Sequence, residues 1–163
     1  MTITIFNSRA QRISALCALC FILSALNQTW AIEKIKADSR AVQVINRFMR
    51  ALSLTDTIKR EAKVVKALHK SMLTRDGQVT ASIKTYSFKK ACDNVHLYRV
   101  PVKITEVHKG RVVTIGFKET AERGRIDKYF IAKRRGVAGV PAPLHIFWPE
   151  MGGKPKLINI GSL

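Results

Sequence analysis

Acidic residues are scarce in this sequence, and so are the residues that interrupt or cross-link a fold. Of its 163 residues only 11 are Asp or Glu, three are Cys, five are Pro and nine are Gly. The scattered Pro and Gly leave no low-complexity linker between two domains. A hydrophobic fraction of 47% with 25% charged residues excludes disordered, collagen-like and coiled-coil chains. We therefore expect one globular domain.

The sequence also lacks an apolar run long enough for a comfortable membrane span, which takes about 20 residues. Residues 13–26 (ISALCALCFILSAL) form a shorter run, with Arg9 and Arg12 before it and the small residue Ala31 after it. This order is typical of a cleaved signal peptide. We predict a signal peptide over residues 1–31 and a single domain over residues 32–163, with an uncleaved anchor as the alternative.

Cysteine is also scarce in this sequence. Cleavage after Ala31 would leave Cys92 as the last thiol, so the mature domain could form no internal disulfide. A domain of this length buries about two-thirds of its unfolded surface, which is enough for a core without cross-links. An exported chain without disulfides suggests a bacterial envelope, and we predict a periplasmic or secreted protein.

Positive charge is what the sequence has in excess. Its 29 Lys and Arg give a formal net charge of +18. A charge of this size favours an anionic partner, which we predict to be an anionic envelope component or an acidic protein. Nucleic acid is disfavoured, because the sequence has no recognition motif and its basic stripes lack the interleaved aromatic residues that stack bases.

Two amphipathic helices should open the domain. Asp38 or Ser39 can cap the first helix, and apolar residues follow at spacings of three and four. These residues are Ala41, Val44, Ile45, Phe48, Met49 and Leu52. After a second start signal at residues 53–56, the period continues through Ile58, Ala62, Val65, Leu68 and Met72 to a stop at Asp76-Gly77.

Beyond Gly77 the apolar period falls to two, which predicts strands, except for a short helix or turn at residues 87–94. We expect, in chain order, a strand at 98–105, a turn at 108–110, a strand around 113–117, a turn at 123–124, a strand around 126–132, a Gly/Pro-rich loop at 134–143 and a closing hairpin at 144–160. The connections are too short for crossovers, so the sheet should be antiparallel. The predicted class is α+β, with the helices on one face of the sheet.

This element order, closed by the hairpin HIFWPEMGGKPKLINIGSL, resembles the nuclear transport factor 2-like superfamily, whose cone fold also serves ketosteroid isomerases and polyketide cyclases. The resemblance covers about residues 38–163 and rests on element order, without a local motif. It implies a strongly curved sheet wrapped around the N-terminal helices. It also implies, for many members, an apolar pocket at one end of the cone and a homodimer through the outer sheet face.

Asp127 and Tyr129 are the best catalytic candidates, because a cone-fold isomerase uses an Asp as base and a Tyr as oxyanion donor. The more apolar face of their strand carries Ile126, Phe130 and Ala132, so we expect Asp127 to point to solvent. Catalysis by this pair is therefore the weaker interpretation.

Cys92 and His96 are four residues apart, which on a helix would bring a thiol near an imidazole. Two such groups do not make a site, and no third ligand stands at a supporting spacing. We predict neither a metal nor a cofactor.

Aromatic residues fall on the more apolar faces of successive strands and on the first helix. Residues of this kind are more often plain core, and the alternative is a pocket for a small hydrophobic ligand. The pocket-lining candidates are Phe48, Tyr98, Phe117, Phe130 and Trp148.

Basic residues on the two helices are arranged in stripes. Four lysines of the second helix share a sector of about 60°. Like charges at this spacing do not stabilise a helix, so the stripes serve solubility or an anionic partner. A basic loop is a further candidate. The anion-binding candidates are Arg40, Arg47, Arg50, Lys59, Lys63, Lys66, Lys70, Arg134 and Arg135.

The sequence favours an exported, non-enzymatic protein that engages an anionic partner or a small hydrophobic ligand in the bacterial envelope. One alternative is a cone-fold isomerase or cyclase that uses a pocket carboxylate and a tyrosine. Another is a structural subunit of an envelope or secretion assembly, because the periplasmic assembly factor of type IV secretion resembles the same superfamily.

Overall fold

A computed structural model describes residues 36–116, 121–161 and 163. The predicted signal peptide at residues 1–31 and the pocket candidate Phe117 lie outside these residues. Within them the chain is α+β with an open antiparallel sheet, so the predicted class is confirmed at that level.

Five strands form the described sheet. They are β1 (Ile104–His108), β2 (Val112–Ile115), β3 (Glu122–Ile131), β4 (Ala142–Pro149) and β5 (Lys156–Asn159). Their order is β1-β3-β4-β5, β2 also pairs with β3, and all these pairings are antiparallel. The predicted closing hairpin is confirmed as β4 and β5.

Helix α1 spans Ser39–Leu52 and confirms the first predicted helix. The Asp38 carboxylate accepts a hydrogen bond from the Arg40 backbone N–H at 2.8 Å and caps the helix start. The apolar face of α1 is buried in the core at Ala41, Ile45, Phe48, Met49 and Leu52.

Helix α2 spans Thr57–Val65. The Asp56 carboxylate accepts a hydrogen bond from the Lys59 backbone N–H at 3.0 Å and caps it. The predicted buried face is partly wrong, because Ile58 is 83% exposed whereas Val64 is fully buried.

The predicted continuation of α2 to residue 76 is wrong. The chain leaves the helix to pair its backbone with β5: Leu157 N donates to Ala67 O at 2.9 Å, and His69 N donates to Leu157 O at 2.7 Å. A short 3₁₀ helix at Lys70–Met72 follows. Pairing with a strand so distant in sequence overrides the local helical period.

The third helical stretch is longer than the predicted segment at residues 87–94. It runs without a break through an α-helical turn, a π-helical turn, a second α-helix and a 3₁₀ turn. In order these are Ala81–Ile83, Lys84–Phe88, Lys89–Asn94 and Val95–Leu97.

The predicted strand at residues 98–105 is largely wrong, because β1 begins only at Ile104. Before it, Tyr98 forms an isolated bridge to Lys133. The Val102 backbone N–H donates to Asn46 Oδ1 of α1 at 2.8 Å, which gives this segment a helix side chain as its partner.

Strands β1 and β2 lie end to end along the same edge of β3, so the predicted reversal at residues 108–110 is also wrong. β1 pairs with the second half of β3, and β2 pairs with its first half. The residues between them form a bulge in one interrupted edge. Glycine is required at Gly110, because a Cβ there would lie 1.7 Å from the Ile126 carbonyl oxygen.

The predicted turn at Arg123-Gly124 is a further error, since both residues lie inside β3 and pair with β2. Glycine serves close packing at this position. A Cβ on Gly124 would lie 2.3 Å from the Trp148 carbonyl oxygen on the neighbouring strand.

The face of β3 that packs against the core is the opposite of the predicted one. Asp127 and Tyr129 are each 2% exposed and Ile131 is fully buried, whereas Ile126 and Phe130 are half-buried. The β4 partners of Asp127 and Tyr129 are fully buried aliphatic residues of the core, and they fix which face of β3 is covered. The expectation that Asp127 points to solvent is therefore wrong.

Candidate anion-binding groove

A groove of about 700 Å³ is lined by helix α1, the end of α2 and the turn that leads into β5. All three elements contribute basic side chains to it. These are Arg40, Arg47 and Arg50 from α1, Lys63 and Lys66 from α2 and its end, and Lys154 and Lys156 from the β5 turn. Among the described residues that line the groove, none is acidic.

Helix α1 supplies the groove with a face distinct from its core face. Arg40, Val44, Arg47 and Ala51 follow one another at spacings of four, three and four, which places them along one side of the helix. The core-facing residues, such as Ile45, occupy the neighbouring side. One helix therefore packs the domain and builds the groove.

The opposite wall joins two parts of the chain that are far apart in sequence. Lys156 Nζ donates to the Lys66 carbonyl oxygen at 2.6 Å, where α2 ends. Leu157 N donates to Ala67 O at 2.9 Å. A cation at the carbonyl end of a helix is also favoured by the helix dipole. These contacts fix Lys156 beside the lysines of α2.

Most of these cations have no carboxylate partner. Arg40 pairs with Asp38 at 3.0 Å, and its hydrogen bond holds the pKa of that carboxyl below its usual range. None of the other basic lining residues forms an ion pair within the described part of the chain. The positive charge of the groove is therefore left uncompensated by the described protein groups.

An apolar strip runs through the same groove. It consists of Val44, Ala51, Leu54, Ala67 and Pro155. Three of these residues are buried, and Val44 and Leu54 are half-buried. The groove thus combines a basic rim with an apolar floor.

Two lysines of the predicted stripe lie outside the groove. Lys59 pairs with Asp56 at 3.4 Å, and Lys70 pairs with Glu122 at 3.0 Å. The hydrogen bond from Lys70 lowers the pKa of Glu122. Because α2 ends at Val65, Lys70 does not continue the helical stripe.

Arg134 and Arg135 line a separate concavity of about 340 Å³ together with Arg99. Arg134 Nε donates to the Tyr98 carbonyl oxygen at 2.9 Å. This side chain therefore ties the loop after β3 to the segment before β1, and the structure does not bring the loop candidates to the groove.

The catalytic candidates Asp127 and Tyr129 line a second cleft, of about 530 Å³. The Asp127 carboxylate accepts two hydrogen bonds from Arg125, at 2.8 and 2.9 Å, and one from Gly110 N at 3.1 Å. Three donors make this carboxylate an anchor for the bulge. Burial, reinforced by the charge of Asp127, raises the pKa of Tyr129 to about 12, so Tyr129 stays protonated at neutral pH.

Trp148 lies close to two arginines of the second cleft. The guanidinium carbon of Arg40 is 4.9 Å from its ring centroid and that of Arg125 is 6.0 Å away, both within the range of cation–π contacts. Arg40 also lines the groove, so it marks the border between the two concavities.

The four described pocket candidates lie in three different environments. Phe48 and Tyr98 are buried in the core, and Trp148 lines the second cleft. Phe130 packs its ring edge-on against a histidine of β1, with 5.0 Å between centroids.

Cys92 and His96 show no sign of a reactive pair. Burial raises the pKa of the Cys92 thiol, which disfavours the thiolate. His96 Nδ1 hydrogen-bonds to the Asp93 carbonyl oxygen at 2.8 Å. Across residues 36–116, 121–161 and 163, no cluster of three or more His, Cys, Asp and Glu side chains could hold a metal.

His69 is a buried polar residue, and both nitrogen atoms of its ring form hydrogen bonds within the protein. The Ser71 backbone N–H donates to His69 Nδ1 at 3.1 Å, so the ring proton lies on Nε2, which donates to Glu122 Oε2 at 3.2 Å. Burial lowers the pKa of His69 and favours this neutral form. The ring caps the 3₁₀ helix and links it to β3.

Sequence reasoning missed Lys154 and Lys156 as groove residues. The available signal was a basic Lys154-Pro155-Lys156 turn after two glycines, but nothing local places this turn beside α2.

Comparisons of the chain with protein-family models, with curated proteins and with solved structures found no match. In the part of the chain that the structure describes, no helix has the length and apolar character needed to cross a membrane. What the protein binds must therefore be inferred from the chemistry of the groove.

Proposed function

We propose that this protein is an exported, non-enzymatic binding protein of the bacterial envelope and that it holds an anionic partner in the groove. The observation that carries the proposal is the convergence of basic residues from α1, α2 and the β5 turn on one concavity whose described lining has no acidic residue. The signal-peptide pattern of residues 1–31 supports export.

The spacing of the cations also favours a bound anion. Arg47 and Arg50 are three residues apart on α1, and Lys63 and Lys66 have the same spacing at the end of α2. Like charges so placed repel by a few tenths of a kcal/mol, about 0.2–0.5 per pair. An anion in the groove would replace this repulsion with charge-assisted hydrogen bonds.

The enzyme alternative has less support. The Asp127 carboxylate accepts hydrogen bonds from Arg125 and Gly110, which leaves it poorly suited to accept a substrate proton. We therefore place the function in the groove and assign the second cleft a structural role.

The fold proposal is that the domain is a cone of the nuclear transport factor 2-like type, with a strongly curved sheet. Its support is the order of helices before an antiparallel meander and the bulge at Gly110, since bulges bend and twist the strand that carries them. A crystal structure would test the curvature, and sedimentation would test the dimer that this resemblance implies.

The test of the function compares two variants with the same loss of charge. The groove variant replaces two arginines and two lysines of the groove with glutamine, at Arg47, Arg50, Lys63 and Lys66. The control variant makes the same change at four exposed positions outside the groove, Arg75, Lys90, Lys103 and Arg111. Inorganic polyphosphate is the probe, and calorimetric titration at about 0.15 M salt, where the Debye length is about 8 Å, gives the affinities.

We expect the groove variant to bind polyphosphate at least about tenfold more weakly than the control variant. Raising the salt concentration should weaken binding of the unmodified protein steeply and that of the groove variant only slightly. Equal losses in the two variants would show that bulk charge, and not the groove, attracts the anion.

A further inference from the structure

The apolar floor of the groove is unexplained by the binding of a simple anion. Val44 of α1 and Leu54 after it line the groove together with the basic side chains, and both carry aliphatic surface. Val44 and Leu54 are only half-buried, so this surface is open at the level of the groove. A polyanion would meet the cations without covering this surface, whereas an aliphatic chain would remove it from water.

The basic side chains leave that floor accessible because they come from opposite walls. Arg47 and Arg50 belong to α1, and Lys63 and Lys66 belong to α2 and its end. Long basic side chains lay their methylene stems along apolar surface and keep the charge at the rim. The groove therefore fits a molecule whose charge lies at the rim and whose apolar part lies between the walls.

The size of the groove favours one small molecule over an extended surface. Its volume of about 700 Å³ lies within the range of about 300–1,000 Å³ that is typical of small-molecule sites. A flat bilayer would contact protruding side chains, whereas a single lipid can enter a concavity.

We propose that the groove binds one acyl lipid whose phosphate head group carries a net negative charge, with this head group among the basic side chains and the acyl chain on the apolar floor. This inference rests on the proposed function and narrows the anionic partner to an amphiphilic one. Basic pockets between transmembrane helices hold acidic lipid head groups through the same attraction of charges.

Three water-soluble probes, each used below its micelle concentration, separate the contributions of head and tail. Dihexanoyl phosphatidic acid carries both, glycerol 3-phosphate carries the head alone, and dihexanoyl phosphatidylcholine carries the same tails with a zwitterionic head. Affinities for the unmodified protein come from calorimetric titration. We expect phosphatidic acid to bind at least about tenfold more tightly than either of the other probes.

Two variants test the floor. Leu54→Ser removes aliphatic surface from the groove, and Ile58→Ser makes the same kind of change on α2 at a side chain that is 83% exposed and outside the groove. We expect Leu54→Ser to weaken phosphatidic acid binding about tenfold and to weaken polyphosphate binding much less, and Ile58→Ser to change neither. Thermal unfolding of both variants verifies that the domain is intact.

The outcomes separate this inference from the proposed function. The lipid assignment would be overturned if phosphatidic acid and glycerol 3-phosphate bound with equal affinity, or if the protein bound polyphosphate but neither lipid. Either result would leave the anion-binding function standing. Equal affinity for phosphatidylcholine would overturn the role of the charged head. If polyphosphate, glycerol 3-phosphate and both lipids all fail to bind, both proposals are overturned.

Discussion

The groove and the second cleft are neighbouring concavities that share Arg40, but their described linings differ in charge: the second cleft contains the carboxylates of Asp38 and Asp127, and the groove contains none. In the second cleft Arg125 is paired with Asp127 and Arg40 with Asp38, whereas the lining residues Lys36 and Lys109 form no ion pair within the described part of the chain. In the groove the remaining cations have no carboxylate partner among the described residues. A charge that is paired within the protein stabilises the fold. A cluster of unpaired cations instead stabilises a complex with an anionic partner.

This difference predicts opposite responses to mutation. Changes in the second cleft should reduce stability and have little effect on anion binding. Changes to the groove cations should reduce anion binding and leave stability unchanged or slightly higher.

The largest expected effect is that of Asp127→Asn. The buried amide cannot accept all the hydrogen bonds that the carboxylate receives from Arg125 and Gly110, so the free energy of unfolding should fall by about 2–4 kcal/mol. Glu150→Gln is the matched control, because Glu150 pairs with Arg123 of the same strand at 2.6 Å on the surface. Chemical denaturation should show a loss within about 0.5 kcal/mol for this control. Similar losses in the two variants would mean that burial of the cleft pair contributes nothing.

The fold was predictable where local signals act alone. The apolar period predicted α1 correctly, and Asp38, one of the two predicted cap residues, caps it. The end of α2 was missed because Ala67 and His69 pair with Leu157 of β5, a contact that no local period reveals. The glycine at residue 110 predicts a turn equally well as a bulge, because both use glycine. The two structures differ only in which strands pair.

The candidate site was also predictable only where local sequence patterns determine it. Helical spacing identified the arginines of α1 and two lysines of α2, since these belong to continuous helices. Lys156 joins them only through its hydrogen bond to the Lys66 carbonyl oxygen, which depends on the path of the sheet. The sequence predicts Asp127 at the surface because the opposite face of β3 carries the apolar residues Ile126 and Phe130, whereas in the fold the partners on β4 decide which face is covered.

A smaller effect is expected from Tyr129 at high pH. Its pKa is about 12 in the fold and about 10 in an unfolded chain. A raised pKa means that the folded state favours the protonated form, so this stabilisation is complete below pH 10 and is lost as the pH rises towards 12. Between these values the unmodified protein should lose about 1–2 kcal/mol more stability than Tyr129→Phe. Parallel stability curves for the two proteins in denaturant titrations would contradict burial of the Tyr129 hydroxyl.

The smallest effect concerns the stability of the groove variant. Removing two like-charge pairs should raise its free energy of unfolding by up to about 1 kcal/mol. The control variant should stay within about 0.5 kcal/mol of the unmodified protein. Thermal and chemical unfolding measure both. A clear loss of stability in the groove variant would mean that these cations serve the fold, as the charges of the second cleft do.

The most direct test of the groove as the anion site is an amide chemical-shift titration with polyphosphate on isotope-labelled protein. We predict that the largest shifts fall in three segments that line the groove, residues 43–54, 63–67 and 153–156, and that residues 125–129 of the second cleft shift little. Shifts that centre on the second cleft, or that spread evenly over exposed basic residues such as Arg75 and Lys103, would contradict the account.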